Sequence, residues 1–172
     1  MPDSEVVVKK PIVDQLLVLV GVQVQVSQAV VYYPYYFGET SFSCLGKKKG
    51  RKRRSNHPTR YTLKLTHRYL FYRGYYFEFG ERGRKGPNDL NVSTKKWGSS
   101  SCPSGKETSV AGRSKVTVSC LKKCAEKYTS RYGDYAVLSN NCHHFANRMS
   151  EVLYNDLNNE RLYGCSCPPW CR

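Results

Sequence analysis

Two β-prone runs that meet at one tight turn constrain this chain more than any other feature. The first is Arg60-Tyr61-Thr62-Leu63-Lys64-Leu65-Thr66-His67-Arg68-Tyr69-Leu70-Phe71-Tyr72, and the second is Tyr75-Tyr76-Phe77-Glu78-Phe79-Gly80, with Arg73-Gly74 between them. Aromatic side chains suit a pleated surface, and Gly74 supplies the backbone freedom a hairpin turn needs, so the spacing predicts a β-hairpin. A two-residue turn pairs Tyr72 with Tyr75, Tyr69 with Glu78 and His67 with Gly80. Side chains alternate along a strand, so His67, Tyr69 and Glu78 then share a face, with Glu78 diagonal to His67 at about 7–8 Å. A three-residue turn would put His67 and Glu78 on opposite faces.

The second informative stretch is Asn140-Asn141-Cys142-His143-His144-Phe145. Tyr135-Ala136-Val137-Leu138 before it reads as a short strand. Phe145, Met149, Val152 and Leu153 after it recur at helical spacing. Asn140 or Asn141 is a good N-cap, because its side-chain oxygen can take an orphan backbone N–H. Cys142 therefore falls in the first helical turn, where the helix dipole favours thiolate over thiol. That makes it a candidate nucleophile. A buried structural cysteine at a helix start is the plainer alternative.

The remaining chain reads as follows. Residues 1–10 form a disordered tail and 11–37 a β-rich segment, with strands at Leu16–Val20 and Val22–Ser27 and a β-prone run Val30–Tyr33 stopped by Pro34. Residues 38–59 form a basic loop, 60–157 the core that carries the chemistry, and 158–172 a Cys-rich tail. Residues 81–115, rich in Gly, Ser, Lys and Pro, read mostly as loop. Val116 to Tyr132 reads as one helix with an apolar stripe of Val118, Leu121, Ala125 and Tyr128, ended by Gly133.

The net charge of +15 comes from 28 Lys and Arg against 13 Asp and Glu. Seven of the basic residues lie in Lys47-Lys48-Lys49-Gly50-Arg51-Lys52-Arg53-Arg54, so 21 bases still face 13 acids elsewhere. Acidic partners follow: an acidic protein, nucleic acid or an anionic membrane. Eight cysteines fit no familiar disulfide framework, and a reducing compartment, cytoplasmic or nuclear, is expected. Secretion is the rival. Leu16–Val22 with Ser27-Gln28-Ala29 could mimic a signal peptide, against which stand Asp14, Gln23 and Gln25. The apolar run is too short to span a bilayer. The Cys165-Ser166-Cys167-Pro168-Pro169-Trp170-Cys171 tail lacks a clean zinc spacing, and neither metal nor cofactor is expected.

Thiol chemistry needs a nucleophile, a base and an oxyanion site. Of the four histidines, His57 precedes Pro58 in the basic loop. His143 and His144 sit on the Cys142 helix at positions that do not face the thiol. His67, on a strand, is the base that remains, and Glu78 can orient it. Backbone N–H groups at the helix start, with Asn141 or Asn140, are the oxyanion candidates.

The His67–Gly80 hairpin resembles the His hairpin of the PPPDE thiol peptidases, which include the desumoylating isopeptidases. Tyr135–Leu153, with Asn141-Cys142 and Phe145, resembles the Cys segment of the same family. The order, His strand first and Cys helix later, is that of circularly permuted papain-like folds, which are α+β with a small antiparallel sheet packed on the Cys-bearing helix. Asn141-Cys142-His143-His144-Phe145 is also similar to the Asn-Cys-x-His-Phe motif of lecithin-retinol acyltransferase-like proteins, where a second His usually sits at the place of Glu78 if one turn residue is gapped, and the chain is similar as well to NlpC-type proteins. The sequence departs from the PPPDE pattern at Thr66, where Trp is common, and at Glu81-Arg82-Gly83, where Gly-Ile is common. The resemblance implies a cysteine hydrolase with a Cys142–His67 pair, Glu78 as third member and a thioester intermediate. An acidic ubiquitin-like modifier would be the substrate. A thiol acyltransferase or phospholipase is the alternative, and a non-catalytic basic binding module is another. Both enzyme readings expect the Cys142 and His67 side chains to converge in a cleft open to solvent.

Overall fold

The computed structural model describes residues 6–7, 30–41, 59, 66–80, 89–97, 105–158 and 167–172. The expected strands at Leu16–Val20 and Val22–Ser27, His57 and the basic run Lys47–Arg54 lie outside these residues. The described chain is α+β. Strands β1 (Val6–Val7), β2 (Val31–Ser41), β3 (Thr66–Tyr72), β4 (Tyr75–Gly80), β5 (Asp89–Ser93) and β6 (Gly112–Ser114) form one antiparallel sheet in the order β1-β2-β3-β4-β5, with β6 also against β2.

The β3–β4 turn sets the register. Arg73 has φ 47° and Gly74 φ 82°. Two successive positive φ values are those of a type I′ turn, whose twist suits a hairpin. Tyr72 pairs with Tyr75 and Tyr69 with Glu78, as a two-residue turn requires. The left-handed Arg73 is held by its guanidinium, which lies 3.8 Å from the centre of the Tyr33 ring.

One face of the hairpin carries Leu70, Tyr72, Phe77 and Phe79, all buried under helices α1 (Val118–Glu126), α2 (Tyr128–Tyr132) and α3 (Cys142–Asn158). Phe145 of α3 stacks between Phe79 and Tyr128, with ring centres 5.5 and 4.8 Å away, and so fixes the helix start over β4. The opposite face carries His67, Tyr69 and Glu78.

Several expectations give way. Pro34 does not stop β2. Tyr33 and Tyr35 turn their backbone groups toward β6, and Pro34 faces the other way, past the end of β3, which begins pairing only at Tyr35. Its missing N–H is therefore not needed. Gly38–Ser41 continue that strand rather than opening the basic loop. Residues 89–93 and 112–114 are strands inside the stretch expected to be loop. The single helix over Val116–Tyr132 is two, capped by Thr117 and broken at Lys127. Tyr135–Leu138 is a turn closed by an Ala136–Asn140 bridge, with Val137 66 % and Leu138 79 % exposed.

The C-terminal cysteines are no loose tail. Cys167 bonds to Cys120 and Cys171 to Cys124. Each pair of partners is four residues apart, one helical turn on α1, so the two bonds lie side by side. Trp170, in the short 3₁₀ turn Pro169–Cys171, stacks edge-on against Tyr132 of α2, ring centres 5.6 Å apart. No helix among the described residues is long and apolar enough to cross a membrane.

Candidate active site

The pair flanking a two-residue turn exchanges hydrogen bonds, and such pairs alternate along an antiparallel ladder. Tyr72 and Leu70 are therefore bonded to β4, and Arg68 and Thr66 turn their backbone groups to the same side. There the ladder ends. Its last pair is Tyr69–Glu78, while β4 goes on pairing with β5 through Phe79–Leu90 and Gly80–Asp89. The first turn of α3 fills the gap. The Arg68 N–H donates to the Cys142 Sγ at 3.5 Å, and the thiol lies 3.8 Å from the Thr66 carbonyl oxygen. Cys142 thus sits against the backbone on either side of His67.

On the face below, His67 Nε2 meets Glu78 Oε2 at 2.9 Å. The Cys142 sulfur is near enough to the ring that each shifts the other's titration. With Nε2 committed to Glu78, Nδ1 is the nitrogen left for the sulfur. Glu78 is fully buried, and its other oxygen accepts from the Trp97 N–H at 2.7 Å and the Asn91 side-chain amide at 3.4 Å. The Trp97 ring lies over His67, centres 5.4 Å apart. Gly80 leaves room for both rings: a Cβ there would lie 3.2 Å from Trp97 and 3.9 Å from His67.

The charges follow from this geometry. Burial works against the His67 cation, but hydrogen bonds to Cys142 and Glu78, and the negative charge of both, outweigh it and raise the ring to about 9. Burial pushes the Cys142 thiol up. Hydrogen bonds from His143 and His67, the His67 charge and the Arg68 N–H outweigh that and bring it down to about 6. Between those values the pair is thiolate and imidazolium.

Asn141 caps α3. Its Oδ1 accepts from the N–H groups of His143 at 2.9 Å and His144 at 3.3 Å, and its amide donates to the Val137 carbonyl at 2.6 Å. His144 Nδ1 closes a reciprocal box, 3.4 Å from the Asn141 N–H and 3.0 Å from Oδ1, so each tautomer has a partner. Burial first, then His143 and Arg148, lower its pKa. Asn140 is spent elsewhere: its amide donates to the carbonyls of Tyr132, Gly133 and Asp134, and its oxygen accepts from the Tyr128 hydroxyl. It ends α2 and does not cap α3. With the His143 and His144 N–H groups taken, the Cys142 N–H remains at the helix mouth.

The structure brings His67 onto Glu78 and seats Cys142 against the backbone on either side of His67, and leaves Asn140 outside. Among the described residues no open cleft exposes the pair: Cys142 is 2 % exposed and the His67 side chain 13 %. No pattern in the chain points to Trp97, because its approach to Glu78 depends on the path of a loop and not on any period. Asn91 lies in the same stretch, which reads as loop. His143 was set aside on helical geometry, yet its ring swings across to β3. No family model matches the chain, and neither does any curated protein or solved structure.

Proposed function

We propose that this chain is a cysteine hydrolase of the PPPDE type, a peptidase or isopeptidase on a permuted papain-like framework. The observation that carries the proposal is the His67 ring on the Glu78 carboxylate, Nε2 2.9 Å from Oε2, with the Cys142 sulfur seated against the backbone on either side of His67. The order of the elements, His strand before Cys helix, agrees with that framework. In the reaction the thiolate attacks the scissile carbonyl carbon, and the oxyanion that forms meets the Cys142 N–H. The tetrahedral intermediate expels the amine, which takes its proton from His67, and a thioester remains. His67, now neutral, accepts a proton from water as the water attacks the thioester. The carboxylic acid leaves and the thiolate–imidazolium pair returns. Glu78 holds the ring and balances its charge throughout. The basic surface favours an acidic protein substrate.

The covered sulfur favours a second reading, in which the same scaffold is a basic binding module without turnover. A thiol-reactive probe built on the C-terminus of an acidic ubiquitin-like modifier separates the two. A hydrolase is expected to be labelled at Cys142, and Cys142→Ala and His67→Ala are each expected to abolish labelling while circular dichroism stays native. Labelling that survives either substitution, or none in the unaltered protein, counts for the binding module.

A further inference from the structure

His143 has a polar job that helical spacing hides. It is 1 % exposed, and its Nε2 lies 2.6 Å from the Thr66 carbonyl oxygen. The Cys142 thiol faces the same oxygen from 3.8 Å. His143 Nδ1 is buried and has no hydrogen-bond partner. A ring N–H with no acceptor is strongly disfavoured in such a place, so the N–H is the one on Nε2, pointing at Thr66. We infer that His143 holds the thiol in its reactive form by donating a short hydrogen bond to the Thr66 carbonyl, which weakens that oxygen as a second acceptor and leaves the thiol proton to His67.

The inference rests on the Cys142–His67 pair proposed above and adds a residue to it. A thiol at a strand edge has two nearby acceptors for its proton, the Thr66 carbonyl and the His67 ring. A carbonyl accepts a hydrogen bond but cannot take the proton, so a thiol bonded there stays a thiol. The short bond from His143 is the stronger claim on that oxygen, since an N–H donor at 2.6 Å outcompetes an S–H donor at 3.8 Å. His143 also counts among the groups that lower the thiol's pKa, with His67 and the Arg68 N–H. The titratable groups around the sulfur are His67 on β3 with Glu78 of β4 behind it, and His143 and His144 on α3. His143 is thus a positioning residue for the thiolate, tying the nucleophile's helix to the strand that carries the base.

The test is the pH dependence of Cys142 alkylation by iodoacetamide, read by peptide mass spectrometry on the full chain. His143→Phe keeps a ring and removes the donor. His143→Gln keeps a donor of similar reach. With Phe the midpoint is expected to rise by about one pH unit or more, which is about tenfold less alkylation below the midpoint. Gln is expected to stay near the unaltered protein. A natively folded His143→Phe with an unmoved midpoint overturns the role of His143. If that variant does not fold, the ¹⁵N spectrum of the unaltered protein decides: the Nε2–H tautomer supports the role and an Nδ1–H tautomer overturns it. An ordinary thiol midpoint in the unaltered protein would instead overturn the underlying Cys142–His67 pair.

Discussion

Glu78 is the residue whose part in the site is easiest to isolate, because its oxygens divide the labour. Oε2 faces His67, while Oε1 is anchored by the Trp97 N–H and Asn91. Glu78→Gln keeps the shape and an anchored oxygen but can turn an amide N–H toward the His67 N–H. We expect kcat/KM to fall about 10²-fold or more. The unaltered protein should show a bell-shaped profile. Activity rises through about 6 as the thiol loses its proton and falls through about 9 as His67 loses its own. In Glu78→Gln the alkaline limb should move to lower pH, because the imidazolium has lost its counter-charge. An unmoved limb would make Glu78 a structural residue only. The shared face of His67 and Glu78 was legible in the sequence, since a period of two and one turn length determine it. The Trp97 roof and the His143 bond were not, because both depend on how separate segments pack.

At the scale of elements, the site exists because β3 and β4 part after Tyr69–Glu78 and α3 enters the gap. Two glycines test this. Gly38 lies under Tyr69, and a Cβ there would fall 2.1 Å from its ring. Since Tyr69 is fully buried, Gly38→Ala is expected to lower unfolding free energy by about 1–3 kcal/mol in urea titration. Gly80→Ala presses instead on Trp97 and the His67 ring. It is expected to melt close to the unaltered protein yet lose about ten- to hundredfold in kcat/KM, since small displacements of a reacting group are costly. Equal effects on stability and activity in both variants would argue against a Trp97 roof that acts on His67. Element prediction failed where local chemistry misled. Pro34 signals a stop, but its missing donor faces past the end of β3, which begins pairing only at Tyr35. Asp89-Leu90-Asn91-Val92-Ser93 is too polar to read as a strand, yet it only needs to pair with β4. Val137 and Leu138 look like a buried strand and sit at the tip of a turn.

For the whole molecule, the C-terminal segment is bound to α1 by two disulfides, and Cys142 is the free thiol among the described residues. Disulfides persist in oxidising compartments and are reduced in the cytoplasm and nucleus, so the state of these four thiols in the cell reports the compartment. The pairing was hidden because each bond joins residues 47 apart, and neither half reveals its partner. Closing a loop of that length contributes about 2–4 kcal/mol, with less from a second bond that lies beside the first. Reduction is therefore expected to lower the melting temperature, and mass spectrometry after non-reducing digestion should recover linked peptides holding Cys120 with Cys167 and Cys124 with Cys171. Four free thiols at these positions in freshly purified protein would place them in a reducing setting. Trp170 links the segment to Tyr132, and Tyr128 joins Tyr132 to Asn140 and Phe145, so the clamp braces the start of α3 from behind.

The most direct measurement is the protonation state of the His67 ring by ¹⁵N NMR at pH 7.5, in the unaltered protein and in Cys142→Ala. The thiolate pair makes His67 an imidazolium at that pH, titrating near 9, with a lower midpoint once the sulfur is gone. A neutral His67 at pH 7.5, or a titration that does not change when Cys142 is removed, would contradict it.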